Sequence, residues 1–140
     1  MSSVLLMVIT TLDLAGVFDL ETREQSKRAI GTDKGFDVIV TDPPYGIREA
    51  TLSGGVGQDS KTVLNDLVDT IIEDRKRGRP LLKAAGGKLV VFQPCPRGLD
   101  IQDLLPSPER LCLAGLQLQE KREQKLRDGL SRWVVSFIST

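Results

Sequence analysis

Apolar residues in this chain fall into short blocks, and the spacing inside each block decides what it can become. Val4 to Thr11 is an unbroken apolar and β-branched run bounded by Ser2-Ser3 and Asp13, which suits a buried strand or the first turns of a buried helix. The strand is the reading adopted. Asp19 to Ile30 is charged and rich in helix formers, so it predicts a short solvated helix, with Gly31 to Gly35 as a turn. Phe36 to Thr41 has four apolar or aromatic residues in six and runs into Pro43-Pro44. It predicts a second buried strand that stops at Asp42, because consecutive prolines cannot continue a ladder.

Beyond it, Glu49 to Gln58 is small and glycine-rich and reads as a mobile loop. Asp59 or Ser60 then caps a helix whose apolar positions Val63, Leu64, Leu67, Val68, Ile71 and Ile72 recur on one face. The basic cluster Arg75 to Arg79 interrupts it. Pro80 to Ala85 adds a further helical turn ending at Gly86-Gly87, and Lys88 to Phe92 is a third strand. Gln93 to Pro108 holds four of the seven prolines and reads as an irregular connection. Leu111 to Gln119 and Arg132 to Ile138 form a closing antiparallel pair across the polar stretch Glu120 to Leu130, unless Glu120 to Arg127 extends as helix. Strands alternating with helices and ending in a hairpin predict an α/β fold with a mostly parallel sheet. Residues 1–35 form an N-terminal segment of uncertain fold, and 36–140 the main body.

Composition narrows the chemistry. The 140 residues carry 19 basic and 19 acidic side chains, so no global field draws the chain to nucleic acid or a membrane, and any RNA contact must be local. There is no histidine, which removes the usual neutral-pH base and the commonest metal ligand. Cys95 and Cys112 make no zinc pattern and read as free thiols of a cytoplasmic protein, Cys95 as a small filler rather than a nucleophile. The run Val4 to Ile9 is too short to span a bilayer, which takes about 20 apolar residues. Arg75, Lys76, Arg77 and Arg79 are read as a solvated helix end that complements the dipole, and Trp133 as packing.

The segment that looks built for chemistry is Asp42-Pro43-Pro44-Tyr45, directly after the second strand. At average residue usage such a tetrapeptide arises by chance in roughly one chain of this length in a thousand. In open α/β sheets ligands collect beyond the carboxyl ends of strands, where this motif begins. Asp42 can accept a hydrogen bond from an amine, the Pro43 carbonyl is a second acceptor, and the paired prolines stiffen both. Tyr45 offers a flat face to a planar base. Together they make a clamp for an exocyclic amino group.

Asp-Pro-Pro-Tyr after a hydrophobic strand resembles the catalytic motif of S-adenosylmethionine-dependent amino-methyltransferases. The longer string Asp42-Pro43-Pro44-Tyr45-Gly46-Ile47-Arg48-Glu49 looks more narrowly like the tRNA guanine-10 N2-methyltransferase catalytic subunit family. The helix from Ser60, Gly86-Gly87-Lys88-Leu89-Val90 and Glu123-Gln124-Lys125-Leu126 before Ser131-Arg132 are similar in order and spacing to that family's C-terminal half. The resemblance covers about residues 36 to 138. It implies a partial Rossmann-like methyltransferase sheet with a C-terminal antiparallel hairpin, methyl transfer to guanine N2 in tRNA, S-adenosyl-L-methionine as cofactor, and a small zinc-binding activator subunit as partner. Asp42, Pro43, Pro44 and Tyr45 would be catalytic, and Gly46 and Arg48 substrate-binding. Arg48 would meet a phosphate beside the flipped nucleotide, or else pair with Glu49 or Asp59. The glycine-containing cofactor loop of such relatives cannot be placed, since about 35 residues precede the motif's strand and Gly16 is the sole glycine in the relevant early segment. The resemblance offers Asp13 or Asp19 as an acid near the adenine, and each also reads as an ordinary solvated carboxylate. The expectation is therefore a truncated form with an incomplete cofactor site. Two alternatives stand beside it: a non-catalytic interaction module, and a DNA adenine or protein glutamine amino-methyltransferase.

Overall fold

The computed structural model describes residues 6–9, 20–30, 34–41, 56–127 and 129–140. Five strands form one open sheet in the order β1-β2-β3-β5-β4. Strand β1 is Leu6–Ile9, β2 Val38–Thr41, β3 Lys88–Pro96, β4 Leu116–Arg127 and β5 Leu130–Ser139. Helix α1, Leu20–Ile30, lies between β1 and β2, and α2, Val56–Lys76, between β2 and β3. The short helices α3, Ile101–Leu104, and α4, Pro108–Ala114, lead from β3 to β4.

β1 pairs parallel with β2 and β2 with β3, whereas β5 is antiparallel to both β3 and β4. The parallel ladders are four residues long and the β3–β5 ladder nine, so the expected mostly parallel sheet is a mixed one whose pairing is mainly antiparallel. Thr41 is opposite Val91, and the last five residues of β3 run on with β5 alone as their neighbour among the described strands. That one-sided stretch is where β3 accommodates Pro94 and Pro96, which a central strand would reject.

The core lies between one sheet face and α2. Period-two alternation turns Ile39 and Thr41 of β2, Leu89 and Val91 of β3, and Val135 and Phe137 of β5 inward. Leu64, Leu67, Val68 and Ile71 meet them from α2, a row at helical spacing. On the other face Val38, Val40, Val90, Phe92, Val134 and Ile138 are half-buried.

Several expectations shift. The main helix begins at Val56, so Asp59 and Ser60 lie inside it rather than capping it. It runs through Arg75 to Lys76 and stops before Gly78, which takes a positive φ. Pro80 to Ala85 is not helical: Leu82 makes a parallel bridge to Phe36, and Phe36 N–H donates to the Leu81 carbonyl at 2.8 Å. These backbone bonds continue the β2–β3 pairing and outcompete a helical turn. Leu111 to Ala114 is helix, not strand, because Ser107 accepts from Arg110 N–H, Pro108 starts the turn, and Gly115 closes it with φ 68°. The hairpin's first strand is therefore the polar stretch itself. Its helix propensity is overridden by pairing with β5, which helix formation would forfeit.

The helix α1, expected to be solvated, buries charge. Arg23 and Lys27 are 4% and 3% exposed, and Arg23 forks onto the buried carboxylate of Asp74 through Nε at 3.1 Å and Nη2 at 2.9 Å. Arg77 pairs with the same carboxylate. Lys27 Nζ donates to the Arg79 carbonyl at 3.0 Å and lies 3.0 Å from Glu24. Burial alone would raise the Glu24 pKa, but Lys27 and Arg79 outweigh it and hold the carboxyl below the ordinary glutamate range. This ionic cluster occupies the end of the sheet where β2 and β3 begin, opposite the end at which the motif leaves β2.

Candidate functional site at the carboxyl ends of the parallel strands

Asp42, Pro43, Pro44, Tyr45, Gly46 and Arg48 lie outside the described residues, as do Asp13, Gly16, Asp19 and most of the glycine-rich loop Glu49 to Gln58. What the structure describes is the platform on which the motif begins. Thr41, the residue before Asp42, closes a strand flanked by parallel neighbours and is 1% exposed. Its hydroxyl has no hydrogen-bond partner among the described residues. A buried hydroxyl without a partner is uncommon and costs about 1–3 kcal/mol when left unmet. Gln93, fully buried two residues past Val91, stands on the same sheet face and donates from Nε2 to the Pro94 carbonyl at 3.1 Å. Polar side chains thus replace apolar ones where the two parallel strands reach this end.

Rows across the sheet continue the surface. Val91, Val135 and Lys121 are successive neighbours on β3, β5 and β4; Gln93, Trp133 and Glu123 form the next row, and Cys95, Ser131 and Lys125 the third. The last two rows open into a cleft of about 960 Å³, bounded by the turn Arg97 to Ile101 on one side and the hairpin on the other. Asp100 caps α3 by accepting from Gln102 N–H at 2.9 Å, which fixes that turn. Arg97, Lys121, Lys125 and Arg127 set four cations around it against the carboxylates of Asp100 and Glu123.

Cys95 lies in this wall as a free thiol. Burial, with smaller contributions from Glu123 and Asp100, pushes its pKa up, and Sγ donates to the Leu99 carbonyl at 3.2 Å. A protonated, hydrogen-bonded thiol is a packing group and not a nucleophile. Arg75, Arg77 and Arg79 of the basic cluster are committed to the fold: Arg75 Nη1 donates to the Ala114 carbonyl at the end of α4, Arg77 pairs with Asp74, and Arg79 reaches Glu24. Trp133 packs against the core and also lines the cleft. The cations of the hairpin escape a sequence reading that makes Glu120 to Leu130 a polar connection or a helical extension. Read as a strand, its i, i+2 spacing of Lys121, Glu123 and Lys125 places them on one face.

No protein-family model matches the chain. Over 90 residues, 64% of this chain, the sequence is 29% identical to the tRNA (guanine(10)-N2)-dimethyltransferase of Methanothermobacter thermautotrophicus. The chain is related to a tRNA methyltransferase. It spans 23% of that relative's length. Among the described residues no helix is long and apolar enough to cross a membrane. The stretch after β1, where S-adenosylmethionine would be held, lies outside the described residues; at this end of the sheet Asp100 is engaged as a cap and Glu123 stands on the outer strand.

Proposed function

We propose that this chain carries the amine-gripping part of a methyltransferase that acts on the exocyclic N2 amine of guanine in tRNA. The observation that carries the reading is positional. Asp42-Pro43-Pro44-Tyr45 begins one residue past Thr41, at the carboxyl end of a strand with parallel neighbours on both sides. The similarity to a tRNA guanine-N2 dimethyltransferase supports the same choice of substrate. β4 and β3 both oppose β5 and therefore run with β1 and β2, an arrangement compatible with a partial Rossmann-like sheet closed by a hairpin.

In this reading Asp42 and the Pro43 carbonyl each accept one amine hydrogen, leaving the nitrogen lone pair turned away from both acceptors. Pro43 and Pro44 hold the acceptors in place, Tyr45 stacks on the extruded base, and Gly46 lets the backbone pass close to it. Arg48 meets the neighbouring phosphate. Positioning does the work, so Asp42 need not be a strong base and the missing histidine is no obstacle. The methyl donor would be S-adenosylmethionine, and the cytoplasm the compartment. A second reading is an interaction module working with a partner such as a small zinc-binding activator; it rests on the similarity covering only 23% of the relative's length.

Methyl transfer from labelled S-adenosylmethionine to a tRNA transcript, with and without an activator, tests the first reading, and calorimetric titration with the cofactor separates it from the second. Asp42→Ala should abolish transfer and leave the melting temperature unchanged. A variant that loses stability and activity together would count against the clamp, and absence of cofactor heat in either mixture would favour the interaction module.

A further inference from the structure

Many cations of the fold are committed to carboxylates. Arg23, Lys27, Arg77, Arg79, Lys83, Arg110 and Arg122 all stand within ion-pair distance of a carboxylate. Arg97, Lys121, Lys125 and Arg127 have no such partner among the described residues, although they line one cleft, Arg97 from the turn and the other three from the hairpin. All four are exposed. One of the two acids nearby, Asp100, is already engaged with a backbone N–H. Between the cations lies Trp133, opposite Glu123 in register, with Lys121 and Lys125 one step to either side of Glu123 on the same face. An aromatic ring between exposed, uncommitted cations has the chemistry of a single-stranded nucleic-acid track, in which phosphates meet the cations and a base stacks on the ring.

We infer that the cleft between the β4–β5 hairpin and the Arg97–Ile101 turn binds single-stranded RNA, with Trp133 stacking on a base and Lys121, Lys125, Arg127 and Arg97 meeting the flanking phosphates. The inference rests on the proposed RNA substrate and extends it, because the cleft opens at the same end of the sheet from which the motif departs. It would hold the strand beside the nucleotide whose amine is gripped. Lys121, Lys125 and Arg127 project from a strand exposed along nearly its whole length, so they can be changed without disturbing the core.

Trp133 is the sole tryptophan of the chain, so its fluorescence reports on this cleft alone. Titrating the full chain with a guanine-containing single-stranded oligoribonucleotide, without cofactor, should quench that fluorescence. Affinity should fall with salt, and Lys121→Gln and Lys125→Gln should each weaken binding and lower the log–log salt slope by about 0.7. Binding without quenching, an unchanged salt slope in both variants, or equal quenching by inorganic polyphosphate would each overturn the assignment. The readout involves no methyl transfer. A chain that quenches but never methylates refutes the proposed activity alone, and one that methylates normally with both lysines replaced and no quenching refutes this inference alone.

Discussion

Replacing Asp74 by Asn keeps the side chain's volume and removes its charge, which isolates the buried ion pair from any cavity effect. In the native fold the carboxylate is fully buried and accepts two hydrogen bonds from Arg23, itself 4% exposed, at 3.1 and 2.9 Å. Arg77 adds a third contact, but its side chain is 36% exposed and water can replace the carboxylate there. Nearly all of the loss therefore falls on the contact with Arg23, and breaking a buried ion pair by removing one partner costs about 3–5 kcal/mol. Against a domain stability of about 5–15 kcal/mol this is a large fraction. Urea unfolding followed by far-ultraviolet circular dichroism should show the midpoint falling with the slope unchanged. Because Arg23 belongs to α1 and Asp74 to α2, hydrogen exchange at the amides of Leu20–Ile30 should accelerate more than that of β3. Arg77→Gln is the control and should cost under about 1 kcal/mol. A loss below about 1 kcal/mol for Asp74→Asn would show that Arg23 finds other partners and would refute the reasoning.

Gly35 has φ 96°, and a Cβ there would lie 2.8 Å from backbone atoms of Pro80, Leu82 and Lys83. Gly35→Ala should therefore cost more than the about 1–3 kcal/mol of backbone strain alone, measured by chemical denaturation. The Glu24 carboxyl sits below its ordinary range when folded, so its contribution is present above the unfolded glutamate pKa and lost as pH falls through the folded one. The stability gap between wild type and Glu24→Gln should close on the acid side only. For Cys95 the sign reverses: its folded pKa is raised, so its contribution is complete below the unfolded thiol pKa and declines as pH rises through the folded value. With a thiol reagent near neutral pH, exposed Cys112 should react at once and Cys95 slowly, and equal rates would contradict its buried, protonated state.

The legible parts of the sequence were those in which one periodicity ran unopposed. The face of Leu64, Leu67, Val68, Ile71 and Ile72 is buried as the helical spacing implies, and the strands around Val38 and Lys88 lie where their apolar runs are. Leu111 to Gln119 misled because partial alternation competed with a start signal at Ser107-Pro108 and a stop at Gly115, and the caps prevailed. The strand character of Glu120 to Arg127 was invisible locally, since its residues are exposed and helix-prone and β5 alone commits them. The ionic cluster around Asp74 was equally hidden, because Arg23 and Asp74 are 51 residues apart. At the candidate site the motif could be read from its own four residues, although the described platform reaches only to Thr41. The cleft required the sheet register, which no local pattern contains.

The order of the sheet bears on how the protein is made. β5 follows β4 in the sequence yet lies between β3 and β4. During synthesis β4 emerges before β5, the only described strand with which it pairs, so its place in the sheet stays empty until Leu130–Ser139 have left the ribosome. Domains form largely as units from the amino end onward. Here the ten residues Leu130–Ser139 join both halves of the sheet, so a stop codon just before Leu130 would cost the whole outer layer.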